Sequence, residues 1–339
     1  MNRVVVMGEE SIGFVIGGLL SADGADVTFL VEDEYRYFSL SKNGLYLFGS
    51  GFDRTIRVNT AFDPSELSGV YDLLVFCSPV LERVHDVSFI LDHLHPDSAV
   101  LCCQNGVIED ILQDILGHQT IISMDCGIVS RSHAPANVEI AAIKESRIGL
   151  WKGDQHVLET LAVRLQSVFP LYVHHSVLSV IYSSLVFDAC LGAMCAISGL
   201  PYGALMRNRR FRGLIIGVMS EAVQVADSLG VLIEPYKKFF NFYSFLKGDN
   251  HFARINRNIV LFLMSFGYEE RISSQLRSIL DGRRGDVDAL NGFISRAAKR
   301  IGGITPLNDL LAAMVKDIEN NHRQIGIENF EQEFFYFYG

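Results

Sequence analysis

No Cys-x-x-Cys pair, no His-Glu-x-x-His pattern, no internal repeat and no low-complexity linker occurs in the 339 residues. The six cysteines (Cys77, Cys102, Cys103, Cys126, Cys190 and Cys195) lie mostly inside apolar stretches without framework spacing. They therefore read as small buried hydrophobes of a reducing compartment rather than as metal ligands or a disulfide framework. Positive charge is in the minority, with 29 Lys and Arg against 39 Asp and Glu and a formal net charge of -10. Such a balance argues against nucleic acid as the main partner, because phosphate binding needs concentrated cations. Arg209-Arg210 and Arg283-Arg284 read as solvated turns or salt-bridge partners. The chain also has no basic segment followed by an apolar one at its start, which makes a cytoplasmic location the default. One stretch, Ser176 to Leu200, is apolar enough to raise a membrane span. Asp188 in its middle favours a buried helix of a soluble helical domain, so no membrane partner is expected.

With 49% apolar residues, a sizeable core divided over two domains is expected. Up to about His174, short β-branched runs alternate with amphipathic stretches. Strands are predicted at Arg3–Met7, Asp26–Val31, Asp72–Cys77, Ala99–Cys103 and Thr120–Met124, with helices at Ile12–Asp23 and Val84–His93. This alternation predicts an α/β, doubly wound parallel sheet with its ligand crevice at the carboxyl ends of the strands. Beyond it the strand signal disappears. Helices are predicted at Val177–Ile197, Phe211–Ser228, Ile259–Phe266, Ile272–Leu280, Val287–Ile301 and Leu307–Asn321, broken at Gly230, Gly267, Gly282 and Pro306. The expected domains are thus 1–174, of dinucleotide-binding type, and 175–339, all-α, with a cleft between them for a small-molecule ligand.

The first strand ends at Gly8, and Glu9-Glu10-Ser11-Ile12-Gly13 follows. In a dinucleotide-binding turn the first glycine makes the bend, the second admits the pyrophosphate to the backbone, and the third lets helix and strand pack. Gly8 and Gly13 keep the first and third roles, while Glu10 stands at the second. Two like charges about 4 Å apart repel by roughly 1 kcal/mol in water and roughly 4 kcal/mol at an effective dielectric near 20. A Glu9 or Glu10 carboxylate can equally fill the anion site of its own helix N-terminus. Gly8, Glu10, Ser11, Ile12 and Gly13 are accordingly the candidate cofactor residues.

Several segments in order carry a resemblance. Ile272-Ser273-Ser274-Gln275-Leu276, Gly282-Arg283, Asp286-Val287-Asp288-Ala289-Leu290-Asn291-Gly292 and Thr305-Pro306-Leu307-Asn308 resemble the ketopantoate reductase signature of Ser-Ser-Met-Leu, Gly-Arg, Thr-Glu-Ile-Asp, Asn-Gly and Pro-x-Asn. The Gly8–Gly13 loop, Gln104-Asn105-Gly106, Leu185 through Gly203, Glu221-Ala222, Ala226 and Gly230 extend it over nearly the whole chain. The resemblance implies a Rossmann domain, a helical domain like that of 6-phosphogluconate dehydrogenase, and NADPH-dependent reduction of a 2-keto acid in the cleft. A homodimer is the expected assembly.

At the residues that do the family's chemistry the sequence departs. The lysine of the family's Trp-x-Lys-Leu segment is Ser184, within Tyr182-Ser183-Ser184-Leu185. The asparagine one helical turn on is Asp188, the next is Gly192, a lysine after the fourth strand is Pro79, and the glutamate of Thr-Glu-Ile-Asp is Asp286. Asn105 matches a cofactor-side asparagine and Ser274 a substrate-binding serine. Glu32 stands where NADP-using members carry arginine, so NAD is preferred over NADP if either binds; a solvated Glu32-Asp33-Glu34 loop is the even alternative. The catalytic candidates are Asp188, Ser184 and Glu221, and the substrate candidates Asn105, Ser274, Gly192 and Asp286. A buried Asp188 with a raised pKa suits a general acid or base, although a helix-to-helix hydrogen bond is the commoner role for such a residue, and Glu221 is weighted toward structure. Two readings follow: an oxidoreductase with an altered, bulkier substrate, or a non-redox descendant that binds a ligand or partner. The aromatic run Phe239, Phe240, Phe242, Tyr243 and Phe245, and the tail from Phe330 to Tyr338, suit an apolar pocket, an oligomer contact or packing within the domain.

Overall fold

The computed structural model describes residues 2–8 and 10–335, and the chain divides into two units, 1–104 with 108–178 and 105–107 with 179–339. The first holds twelve strands among the described residues: β1 (Arg3–Met7), β2 (Asp26–Leu30), β3 (Leu45–Gly49), β4 (Phe52–Ile56), β5 (Asn59–Ala61), β6 (Tyr71–Phe76), β7 (Leu94–Cys102), β8 (Thr120–Asp125), β9 (Ile128–Ala134), β10 (Asn137–Ile143), β11 (Ser146–Lys152) and β12 (Leu171–Val173). Its helices are α1 (Ser11–Ala22), α2 (Glu34–Asn43), α3 (Leu81–Asp86), α4 (Glu109–Leu116) and α5 (Gln155–Gln166).

Eight strands form one sheet in the order β12-β11-β8-β7-β6-β1-β2-β5, parallel except where β11 meets β8. The chain winds one way from β1 to β2 and the other way from β6 onward, so the strand order switches beside β1, where such sheets bind ligands. A second sheet, β4-β3-β10-β9, lies outside the predicted set of strands. It covers the outer side of α1, whose glycines show the tightness of both contacts. A Cβ on Gly17 would meet Phe29 at 2.6 Å, and one on Gly18 would meet Leu47 at 2.7 Å. With sheets on both sides, α1 is apolar nearly all round, as a fully enclosed helix must be. The helix expected at Val84–His93 instead divides into α3 and a 3-10 stretch, Val87–His93.

The second unit is helical: α6 (Val177–Ser198, which begins two residues before the unit), α7 (Tyr202–Arg207), α8 (Arg209–Ser228), α9 (Phe242–Leu246), α10 (His251–Met264), α11 (Ser274–Leu280), α12 (Asn291–Arg300) and α13 (Pro306–Glu319). Helix α6 is long and apolar enough to cross a membrane by length and composition, yet it is buried inside the fold. Helix α10 starts earlier than its apolar periodicity suggested, because Asn250 accepts a bond from the Ala253 amide at 2.8 Å and caps it. The aromatic run packs largely within its own unit. Phe240, Phe242 and Phe245 are buried against one another, whereas Phe239 is exposed. Phe330 sits edge-on to Phe211 at 4.7 Å, and Phe334 stacks on Phe330. Tyr336, Phe337 and Tyr338 lie outside the described residues.

Candidate active site

At the end of β1 the chain turns through Gly8 at φ +109°, and a Cβ there would lie 2.8 Å from the Cys77 carbonyl carbon. Only glycine meets both demands. A Cβ on Gly13 would meet Cys77 Sγ at 2.9 Å, so this glycine sets the approach of α1 to the sheet. Glu10 is the N-cap residue of α1, with extended backbone, but its side chain makes no capping hydrogen bond. Self-capping is thus not what Glu10 does, and Glu9, the other candidate for it, lies outside the described residues. Ser11 and Ile12 open the helix; Ser11 Oγ is 2.8 Å from Ser130 Oγ, which ties the turn to the second sheet. Glu32, just past β2, is ion-paired with Arg83. A cation thus stands beside the acid that follows β2.

Burial organises the neighbouring thiols and one acid, Glu109, that no motif in the sequence marks. Cys77 Sγ and Cys103 Sγ are 2.8 Å apart and buried, and burial pushes the Cys103 thiol well up, so it is not an activated nucleophile. Glu109 is also buried. It accepts from Ser123 Oγ at 2.6 Å, from the Ile108 amide at 2.9 Å and from Gln104 Nε2 at 3.2 Å. Desolvation raises its pKa against those bonds. A lone glutamate after Gly106-Val107-Ile108 gave no sign in the sequence that three donors would converge on it.

The helical unit gathers the remaining candidates. Between Ser179 and Ser198, all described, the positions of α6 that are not fully buried are Ser184 and Asp188. They are four residues apart and so share one face of the helix, and Gly192 continues that line. The core helix therefore opens at the two positions that were predicted to be catalytic. At Gly192 a Cβ would touch only Ser273 and the Tyr202 hydroxyl, each at 3.9 Å, so glycine leaves room beside that hydroxyl.

Three substrate candidates meet at one carboxylate. Asn105 Nδ2 donates to Asp286 Oδ2 at 2.8 Å, and Ser274 Oγ donates to the same oxygen at 2.6 Å. Asp286 is buried and its pKa is raised, chiefly by desolvation, while the bonds from Ser274 and Asn105 pull the other way. Its second oxygen, Oδ1, is buried and has no hydrogen-bond partner among the described residues. The two adjacent serines divide the work. Ser273 caps α11 by accepting from the Leu276 amide at 2.9 Å, which frees Ser274 for Asp286.

Asp188 keeps a solvent-accessible edge, yet desolvation is the largest influence on its carboxyl and pushes it up to about 6. Arg271 and Lys237 act against that rise, Asp286 reinforces it, and a bond from Asn105 opposes it. Such a group exchanges its proton near neutral pH, as a general acid has to. Arg271 and Lys237 were not anticipated. They lie 83 and 49 residues beyond Asp188, and no spacing rule joins them.

Glu221, the third catalytic candidate, is occupied elsewhere. Its two oxygens accept from the Leu307 amide at 2.9 Å, the Asn308 amide at 3.0 Å and Asn308 Nδ2 at 2.7 Å. It therefore caps the N-terminus of α13, a partner other than the acid or basic side chain expected for it. The signature asparagines are structural too: Asn291 Nδ2 donates to Asn308 Oδ1 and to the Ala189 carbonyl, locking α12 and α13 to α6.

The comparisons agree with this picture. The N-terminal model of ketopantoate reductase PanE/ApbA matches residues 4–153, and the C-terminal model of the same family matches residues 176–319. A 2-dehydropantoate 2-reductase of Pyrococcus horikoshii is 23% identical, covering 94% of this chain and 98% of its own. An uncharacterized oxidoreductase of Bacillus subtilis, YkpB, is 22% identical over 94% of this chain and 99% of its own. Among solved structures, a PanE/ApbA family ketopantoate reductase from Ralstonia eutropha superposes with a TM-score of 0.75 at 24% identity, covering 94% of this chain and 99% of that one. D-mandelate dehydrogenase, solved with NADH and anilino(oxo)acetate, gives 0.74 at 17% identity with the same coverage. At these identities the structural likeness speaks for the fold, a Rossmann-type sheet domain followed by an all-helical domain. The family models span most of the chain in the right order, and this protein belongs to the ketopantoate reductase family of NAD(P)-dependent oxidoreductases.

Proposed function

We propose that this protein is an NAD(P)-dependent reductase of a 2-oxo acid other than ketopantoate, in which Asp188 takes over proton delivery from the lysine that Ser184 replaces. The observation that carries this reading is the opening of α6 at Ser184 and Asp188, with the Asp188 carboxyl raised to about 6 at that opening. The first turn fits a dinucleotide. Gly8 has the conformation and Gly13 the close packing that a pyrophosphate-binding turn requires, and the Glu10 side chain does not cap the helix. Gly8, Ser11, Ile12 and Gly13 would hold the diphosphate, and Glu32 the ribose. NAD is the preferred form, because Glu32 repels a 2′-phosphate.

A bound reduced dinucleotide supplies a hydride. The chain's own part is to hold the 2-oxo acid and to protonate the oxygen as it becomes an alkoxide. Asp188, protonated at and below about pH 6, donates that proton, and its ionised form is then stabilised by Arg271 and Lys237. Asn105 and Ser274 fix Asp286 by donating to one of its oxygens, leaving the other for a substrate hydroxyl or the amide of a bound acid. The absence of an ammonium at 184 and the room left by Gly192 argue for a different, bulkier acid than ketopantoate. The aromatic 2-oxo compound bound to the mandelate dehydrogenase neighbour gives that substrate class a precedent in this fold.

Titration of NADH and NADPH into the purified protein, followed by nicotinamide fluorescence, tests the reading. NADH binding in the micromolar range supports it, as does NADH oxidation with a panel of 2-oxo acids. Failure of both dinucleotides to bind below millimolar concentration ends it in favour of a non-redox descendant, the reading to which the acid at position 10 points. A Glu10→Gly variant that gains affinity identifies the carboxylate as the obstacle.

A further inference from the structure

Lys237 and Arg271 stand on a single aromatic wall. Lys237 Nζ donates to the Tyr268 hydroxyl at 2.8 Å and lies 4.8 Å from the centroid of that ring and 5.4 Å from that of Tyr236. The Arg271 guanidinium lies 5.4 Å from the Tyr202 ring and 5.5 Å from the Tyr268 ring. Tyr236 in turn stacks on Phe187 at 4.3 Å, and Phe187 precedes Asp188 in α6. All three tyrosines are buried, so the wall is a fixed mount rather than a mobile surface. The peptide bonds around it are fixed as well. The Tyr202 amide donates to the Arg271 carbonyl at 2.8 Å, and the Gly203 amide donates to the Tyr268 carbonyl at 2.9 Å.

The loop that carries Lys237 is strained. Lys237 (φ 51°) and Lys238 (φ 69°) are consecutive non-glycine residues in the left-handed region. They form the tip of a tight hairpin in which Tyr236 and Phe240 exchange backbone bonds at 2.8 and 3.0 Å. Glycine would adopt this conformation without cost, and lysine does not. Strain of this kind persists where the structure around it enforces it, and it marks sites where a side chain has to be aimed. Here it turns the Lys237 ammonium back over Tyr268, toward Asp188. Neither Lys237 nor Arg271 is joined to a carboxylate by an ion pair among the described residues. Two solvent-accessible cations on a rigid aromatic mount, near Asp188 but in direct ion-pair contact with no carboxylate among the described residues, make a receptor for an anion.

We propose that Lys237 and Arg271 form the carboxylate seat of the substrate site, supplying from the 237 hairpin and the 271 turn the positive charge that α6 lacks at position 184. The ligand class is a small 2-oxo carboxylate, its carboxylate on the cation pair and its oxo group toward Asp188. The orientation of the oxo group rests on the function proposed above; the carboxylate seat does not.

Calorimetric titration of oxamate, a 2-oxo acid analogue that is not reduced, into the full chain at pH 6 tests the seat, with uncharged oxamide as the control. Oxamate should bind and oxamide should not. Lys237→Met and Arg271→Met should each weaken oxamate binding by at least about tenfold, and Lys237→Arg should keep it within about threefold. Lys237→Gly separates binding from folding, because it should lose oxamate as Lys237→Met does while its melting temperature stays at or above that of the parent. Equal binding by the parent and Lys237→Met, or no binding by the parent at millimolar oxamate, overturns the seat. Lys237-dependent oxamate binding without any NADH- or NADPH-dependent reduction of a 2-oxo acid would leave the seat standing and remove the oxidoreductase reading instead.

Discussion

The turn after β1 and the open face of α6 are built in different ways. At the turn, the work is done by backbone: Gly8 is held at φ +109° against the Cys77 carbonyl, and Glu10 serves as the N-cap residue of α1 without a side-chain capping bond. On α6 the work is done by side chains. Ser184, Asp188 and Gly192 follow one another at four-residue spacing on one face of the helix, so what that face can do depends on the side chains and not on the course of the backbone. The two regions therefore have to be tested by different variants.

The largest effect is expected at Gly8. Gly8→Ala combines an unfavourable φ with a collision against backbone that cannot move aside. It should cost about 3 kcal/mol in urea unfolding and abolish dinucleotide binding. Gly24→Ala is the control, since Gly24 also has positive φ but open space around it, and it should cost only about 1 kcal/mol. If the two variants lose the same stability, the close approach to Cys77 does not matter.

Glu221 tests the helical unit without touching its chemistry. Glu221→Ala strands two amides of α13 and one side-chain donor, so a loss of about 2 kcal/mol is expected in denaturant midpoint, with oxamate affinity preserved. Loss of affinity with full stability would return Glu221 to the active site.

Asp188 links stability to pH. Its pKa is near 3.8 when unfolded and about 6 when folded, so between those values the folded chain holds a proton that the unfolded chain releases. Stability is complete below about pH 4, falls as pH rises through about 6, and levels off above that, by up to about 2–3 kcal/mol in all. Asp286, also raised, contributes in the same direction. Asp188→Asn removes its share of the fall, so the variant should be the more stable chain at pH 8 and gain nothing at pH 4. A constant difference between the two pH values would mean that the carboxyl is not desolvated.

The smallest effect is expected at Glu32. Its ion pair with Arg83 is largely exposed and contributes little to folding, under about 1 kcal/mol. Glu32→Gln should leave the melting temperature unchanged and release Arg83, tightening NADPH and weakening NADH by a few-fold each in the fluorescence titration. No change in the ratio would make Glu32 a solvated loop residue.

Much of the fold is legible in the sequence because its signals are local. Val4-Val5-Val6-Met7 before Gly8 marks β1, and the long apolar run broken by Gly199-Leu200-Pro201 marks α6. The second sheet escaped because Leu45–Gly49 and Phe52–Ile56 are short, and what they cover is α1, a surface that exists only after the chain has folded. The start of α10 was visible in Asn250 but was masked by Arg254 and Arg257. Arg257 is buried and donates to the carbonyls of Leu246 and Gly248, a use of charge that periodicity does not reveal. At the site, Asn105, Ser274, Asp286 and Asp188 could be singled out one by one from motif positions. That the first three share an oxygen, and that Lys237 and Arg271 face the fourth across tyrosines, is long-range geometry on which the sequence is silent.

The role of Asp188 as the acid of the reaction is tested most directly by the pH dependence of kcat/KM for NADH-dependent reduction of a 2-oxo acid. The expected profile falls as pH rises through about 6, and Asp188→Asn should be about 10²–10⁴-fold slower, with the fall gone. A profile flat from pH 6 to 9, or fast NADPH-dependent turnover of ketopantoate by the unaltered protein, would contradict it.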